Sequence, residues 1–157
     1  MQSLNTLDSL KERMKEVFNF FKTLSADEME AFLGFCENKR ADAGETLWRE
    51  GDSDNYAAFV VSGKLGIKKR TEFEGKYMIV GTFARGTVVG ELCLLTDRHR
   101  SVTAAVLEPV EIVILTSRNF ERLITEHPML GLKLLRHVFL VISNRLNKST
   151  HRISKIF

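Results

Sequence analysis

Little in this sequence suggests a disulfide-bonded, membrane-spanning or metal-dependent protein. The two cysteines, Cys36 and Cys93, lie far apart in apolar surroundings, which excludes a disulfide framework and fits buried thiols in a reducing cytoplasm. Apolar runs such as 138–142 fall far short of the roughly 20 residues that a bilayer span needs. No apolar signal core opens the chain, so a soluble, unexported, cytoplasmic protein is expected. His99, His127, His137 and His151 lack metal-ligand spacing, and no Cys-x-x-Cys, His-x-x-x-His or phosphate-handling enzyme motif occurs. Neither a metal, another cofactor nor catalysis is expected. An excess of one charge is missing too: 23 basic against 20 acidic residues leave +3, too balanced for a nucleic-acid footprint without a concentrated patch.

What is present begins with a helical period. Across residues 4–21, Leu7, Leu10, Met14, Val17, Phe18 and Phe21 recur every three or four positions, which predicts an amphipathic N-terminal helix. Ser25-Ala26-Asp27-Glu28 then reads as a capping box, in which the serine satisfies an orphan N–H and the glutamate reaches back to the cap. It should open a second helix through about Cys36 that buries Met29, Phe32, Leu33 and Cys36. The aromatic stripe of Phe18, Phe20, Phe21, Phe32 and Phe35 is read as core packing and not as a ligand box.

Beyond Ala41 the texture changes. Glycines at 44, 51, 63, 66, 75, 81, 86 and 90 punctuate short β-rich runs, the pattern of an all-β barrel or sandwich. Antiparallel strands are predicted over 45–49, 57–62, 65–71, 77–83, 101–107 and 110–115, with Glu74-Gly75 turning one hairpin. Lys68-Lys69-Arg70 is read as a solvated edge that discourages further pairing. Ser117 should cap a helix carrying Phe120, Leu123 and Ile124, which Pro128 ends while starting the next. In that last helix Leu135, Phe139, Ile142, Leu146, Ser149, Ile153 and Ile156 are spaced 4, 3, 4, 3, 4 and 3, a heptad seam interrupted by one hydroxyl. The seam predicts a homodimer; a single amphipathic helix lying on its own barrel is the alternative. Gly131 is expected only to loosen the first turn.

The densest chemistry lies at 90–103, where a glycine, an acid, a hydroxyl and arginines fall within fourteen residues: Gly90-Glu91-Leu92-Cys93-Leu94-Leu95-Thr96-Asp97-Arg98-His99-Arg100-Ser101-Val102-Thr103. Glycine lets backbone N–H groups approach a ligand, a short helix would direct its positive end outward, and an arginine fork matches phosphate oxygens. The stretch reads as a cradle for a small anion.

Taken in order, two helices, a glycine-punctuated barrel, the Gly90-Glu91-Leu92-Cys93-Leu94-Leu95 turn, Arg100-Ser101 at a strand start and two further helices resemble a cyclic nucleotide-binding domain. Gly44, Glu50-Gly51-Asp52, Ser62-Gly63 and Gly86 add to the likeness, which covers nearly the whole chain from about Phe20. The resemblance implies a mainly β fold with flanking helices. Its jelly-roll β-barrel would span 39–116, with N-terminal helices over 1–38, a phosphate-binding cassette at 90–103 and C-terminal helices over 117–157, all in one domain, 1–157. By the same resemblance Arg100 would pair with the cyclic phosphate and Ser101 would add a hydroxyl donor. Glu91 would accept from the ribose 2′-hydroxyl, and Gly90, Leu92 and Cys93 would supply backbone contacts. Val102 stands where alanine is usual and adds volume beside the ligand, while His99 replaces a common proline, Val89 an aromatic residue and Thr87 an aspartate.

Asn144-Arg145-Leu146-Asn147-Lys148-Ser149-Thr150 looks like the stretch with which catabolite activator protein-like members touch adenine across their dimer, which would make Ser149 and Thr150 base contacts. The implied function is binding of a cyclic purine nucleotide, cAMP favoured over cGMP, by a non-enzymatic regulatory sensor that couples cassette occupancy to the C-terminal helix. Bacterial transcription factors of the family continue into a helix-turn-helix, and none follows here, so no nucleic-acid partner is expected from this chain alone. Two other readings stay open: a degenerate cassette serving as a dimeric interaction module, and the sensor half of a truncated transcriptional regulator.

Overall fold

The computed structural model describes residues 2–156; Met1 and Phe157, the outer limits of the expected domain, lie outside the described residues. Helix α1 (Gln2–Val17), the single turn α2 (Asn19–Lys22) and α3 (Ala26–Gly34) come first. Strands β1 (Glu37–Ala41), β2 (Thr46–Trp48), β3 (Tyr56–Arg70), β4 (Tyr77–Ala84) and β5 (Thr87–Val89) follow. A 3-10 turn (Glu91–Leu94) then precedes β6 (Thr103–Thr116), α4 (Ser117–Glu126) and α5 (Pro128–Ser154).

Two long strands make the roll. β3 and β6 pair antiparallel from Tyr56 opposite Thr116 to Lys68 opposite Thr103, and their register shifts three times between Val60 and Leu65. At that corner Gly63 has φ +84°, and a Cβ there would lie 2.1 Å from the Pro109 carbonyl oxygen, so the chain can bend only at glycine. Such irregularities increase local twist and fold one ribbon into two layers. On one side of the corner β1 joins β6 and β5 joins β3; on the other β2 joins β6 and β4 joins β3. The result is the expected jelly roll with flanking helices.

Alternation along the ribbon divides the core. Ala57, Phe59 and Val61 of β3, with Val113 and Leu115 of β6, face the helices and pack on Met14, Phe21, Phe32, Leu123 and Leu134. The intervening Ala58, Val60, Ile112 and Ile114 line the barrel interior with Leu47, Trp48, Leu65 and Ile67. Burial on both faces explains why 57–61 reads as an unbroken apolar run. Phe18, Phe21, Phe32 and Phe59 meet edge-on or tilted with centroids 5.0 to 5.8 Å apart, which is the packing role expected of the phenylalanines. The capping box also forms: the Glu28 N–H donates to Ser25 Oγ at 3.1 Å and the Ser25 N–H to Glu28 Oε2 at 3.0 Å.

Several expectations change. The N-terminal helix stops at Val17; Phe18 is extended and a separate turn carries Phe21. Runs 57–62 and 65–71 form one strand, as do 101–107 and 110–115, because Gly63 and Glu108-Pro109 bend the ribbon without reversing it. Of Lys68-Lys69-Arg70 only Lys68 is paired on both sides, with β4 and β6, while Lys69 and Arg70 pair with β4 alone; Lys69 reaches Glu50 at 2.8 Å and the Ser101 carbonyl at 2.7 Å. Thr116, not Ser117, caps α4, its hydroxyl accepting from the Asn119 N–H at 3.1 Å. Gly131 is buried, and a Cβ there would come within 3.0 Å of Ile124, so it sets how closely α4 and α5 approach.

Helix α5 packs through Leu130, Leu134 and Val138, with Leu135 and Ile142 half-buried beside them. Beyond that its apolar seam is open to solvent: Phe139, Leu146 and Ile153 are 72%, 66% and 58% exposed. The helix ends at Ser154, leaving Ile156 of the expected seam outside it.

Candidate functional site

The turn from β5 toward β6 lies over a cavity of about 280 Å³, close to the lower end of the ~300–1,000 Å³ usual for small-molecule sites. Gly90, Glu91, Leu92, Cys93, Arg100, Ser101 and Val102 all line it, so the structure brings these seven expected residues together. Trp48 of β2, Phe83 of β4 and Arg145 of α5 complete much of the wall.

Gly90 is required twice over. Its φ of +73° is left-handed, and a Cβ would stand 2.5 Å from Arg100 Nη1 and 3.0 Å from the Tyr56 carbonyl oxygen. The expected short helix after it is one 3-10 turn of four residues, in which the Cys93 N–H already donates to the Gly90 carbonyl at 3.3 Å. Its dipole is therefore slight, and attraction for an anion falls to the arginine.

Arg100 is fixed at its backbone by the Glu50-Gly51-Asp52 turn. Its N–H donates to the Asp52 carbonyl and its carbonyl accepts from the Gly51 N–H, both at 2.8 Å. The side chain is only 7% exposed, yet among the described residues no carboxylate lies within ion-pair distance of it. Nη2 donates to the Tyr56 carbonyl at 2.8 Å, and Nε is buried without a hydrogen-bond partner among the described residues. The guanidinium lies 3.9 Å from the centroid of the Trp48 ring and 4.6 Å from that of Tyr56. Burial pulls its pKa below the ordinary arginine value, but a guanidinium stays charged in proteins. A buried cation without a counter-ion is costly, and an arriving anion removes that cost.

Glu91 presents the opposite case. It is buried and already paired, its Oε1 lying 2.6 Å from Nη1 of Arg145. Arg145 also donates through Nη2 to the Val88 carbonyl and lies over the Phe83 ring at 4.7 Å. Its role was not legible in the sequence, because it stands 54 residues from Glu91. The only signal was its place in the 144–150 stretch. Cys93 is a packing residue: burial pushes its thiol up to about 11 against the pull of the Arg100 charge, so it stays a neutral S–H. Val102 is half-buried and packs on the barrel core from the cavity side. Ser101 is exposed at the rim, its carbonyl held by Lys69.

Ser149 and Thr150 are the expected residues that a single chain does not bring to the cavity. Both are exposed on α5 past Arg145, and the Thr150 hydroxyl donates to the Leu146 carbonyl at 3.0 Å. Among the described residues no helix is long and apolar enough to cross a membrane, and no group of three His, Cys, Asp or Glu could hold a metal ion.

The model of the cyclic nucleotide-binding domain family matches residues 38–127. The cyclic AMP receptor protein of Thermus thermophilus is 25% identical over 111 residues, 71% of this chain and 51% of that protein. Lysophospholipase NTE1 of Pyricularia oryzae is 28% identical over 109 residues, 69% of this chain but 7% of that protein. A cyclic nucleotide-binding domain from Methylobacillus flagellatus superposes with a TM-score of 0.82 at 19% identity, covering 94% of this chain and 85% of that one. The chain thus spans about half of one curated relative and a small part of the other.

Proposed function

Because the chain belongs to the cyclic nucleotide-binding domain family, we propose that its cavity binds a cyclic purine nucleotide, cAMP in preference to cGMP, and that occupancy is passed to α5. The observation that carries this reading is Arg100: a buried guanidinium, lining a cavity of ligand size, with no carboxylate among the described residues within ion-pair distance. A cyclic phosphodiester brings one negative charge to that position, and charge-assisted hydrogen bonds are the strong ones. Ser101 adds a hydroxyl donor at the rim, Gly90, Leu92 and Cys93 surround sugar and phosphate, and Val102 closes the apolar side.

Glu91 takes the ribose 2′-hydroxyl. In this structure it holds Arg145, so a sugar and a residue of α5 compete for or share one carboxylate. Binding then has a different free energy for different positions of α5, which is the requirement for a ligand to shift that helix. The exposed seam of α5 forms a homodimer in this reading, and Ser149 and Thr150 of the partner's helix reach the base. The name of the Thermus relative favours cAMP. We read the chain as a cytoplasmic regulatory domain without catalysis or a cofactor of its own, and as the sensory part of a larger regulator where it is joined to one. A degenerate cassette acting as a dimeric interaction module is the second reading, favoured by Arg145 already occupying Glu91.

Isothermal titration calorimetry with cAMP and cGMP tests the proposal. Heat at one site per chain is expected, with cAMP the tighter ligand. No heat from either at millimolar concentration would remove the nucleotide reading and leave the interaction module.

A further inference from the structure

The two buried charges of the cavity, Glu91 and Arg100, are held in different ways. Glu91 has a cation, Arg145; Arg100 has two aromatic rings. Trp48 and Tyr56 meet edge-on, centroids 5.3 Å apart and planes at 85°, and the guanidinium lies against both rings. Ring faces attract a cation through their quadrupole without adding net charge, and most strongly where water is excluded. A carboxylate in the same place would hold the arginine equally well but would cancel the charge that an anionic ligand needs.

Trp48 makes no other polar use of its side chain. Its indole N–H is buried and has no partner among the described residues, which costs free energy that an aliphatic residue in β2 would avoid. It is also the chain's only tryptophan. An unsatisfied donor kept in a barrel core calls for a compensating role, and the contact with Arg100 supplies one. Tyr56 is fixed for the same task from two sides: its hydroxyl donates to the Leu47 carbonyl at 3.2 Å, and its own carbonyl accepts from Arg100 Nη2. Gly90 completes the seat by leaving room for Nη1.

We propose that Trp48 and Tyr56 are positioning residues, an aromatic clamp that stands in for a counter-ion and holds Arg100 charged and oriented for a single anionic group. The clamp rests on the reading of this cavity as the nucleotide site. It makes Arg100 a preformed cation, so that binding does not first have to break an ion pair.

Trp48 reports on the clamp directly, since its emission is the only tryptophan signal. In unliganded protein, R100L should change the intensity and wavelength of that emission; an unchanged spectrum would overturn the clamp. Titration with cAMP adds the functional arm. W48L should weaken cAMP about tenfold or more, W48F should return to within about threefold of wild type, and W48L should cost nothing further in an R100A background. Wild-type affinity in W48L, W48F as impaired as W48L, or the full W48L loss in R100A would each overturn the proposal. Should W48L fail to fold by circular dichroism, Y56L, which keeps the carbonyl and removes the ring, carries the same expectation. Wild-type protein that does not bind cAMP defeats the ligand assignment, while the R100L spectrum still decides the clamp.

Discussion

Glu111 and Arg100 are both buried charges, 4% and 7% exposed, and the chain treats them in opposite ways. Glu111 is saturated. Arg13 of α1 grips both carboxylate oxygens, Asn38 of β1 donates at 3.0 Å, and Arg40 lies at 3.7 Å. Burial raises its pKa, but the hydrogen bonds from Arg13 and Asn38 and the charges of Arg13 and Arg40 outweigh that and hold it below the ordinary 4.5. Arg100 has aromatic faces and one carbonyl and, among the described residues, no carboxylate within ion-pair distance. A buried charge fully matched by its own chain ties elements together, here α1 and β1 to β6. A buried charge left unmatched marks where something from outside completes it.

The comparison can be broken most forcefully at Glu111. Glu111→Ala strands Arg13 and should destabilise the fold by about 3 kcal/mol, the low end for a broken buried pair because Arg13 is partly exposed. That corresponds to a fall in melting temperature of roughly 6–12 °C, read by calorimetry, with nucleotide affinity unchanged. A shift of a degree or two would show that the pair is not structural. Arg100→Ala should do the reverse, weakening cAMP by more than about 1.5 kcal/mol while costing the fold little, because no partner of opposite charge is stranded. Equal losses of stability and affinity in both variants would erase the distinction.

Acid sharpens it further. Because the folded carboxyl of Glu111 titrates below 4.5, the unfolded chain binds the proton more readily; the stabilisation is complete above that value and is lost as pH falls through the lower folded pKa. Urea midpoints measured from pH 6 down to 3 should therefore fall more steeply for wild type than for Glu111→Gln, and parallel curves would discount the pair. The smallest effect on the fold is expected at Leu146→Lys. This exposed seam residue should change stability by no more than about 0.5 kcal/mol yet yield monomers in sedimentation, whereas a persisting dimer would exclude α5 as the interface.

Much of this contrast was legible in the sequence only on one side. The Ser25–Glu28 capping box, the Glu74-Gly75 hairpin and the cassette turn at Gly90 are local, and local hydrogen bonding or backbone sterics determines each. Gly63 looked like a chain reversal because its positive φ serves turns and bulges alike; which one forms depends on Pro109 across the ribbon. β1 has one buried residue in five, and β5 is three residues long, so neither shows an apolar period. The partners of the charges were hidden for another reason. Arg13 and Glu111 stand 98 residues apart, and the rings under Arg100 come from β2 and the start of β3. Those contacts exist only once the ribbon has rolled, whereas Arg100 itself was marked by its own neighbours.

The most direct test is the melting-temperature shift that cAMP produces in wild type, Glu111→Ala and Arg100→Ala, because a ligand that binds only the folded state stabilises it in proportion to its affinity. A positive shift in wild type and in the less stable Glu111→Ala, with little or none in Arg100→Ala, is the predicted result. The same shift in Arg100→Ala as in wild type, or no shift in wild type at millimolar cAMP, would contradict the account.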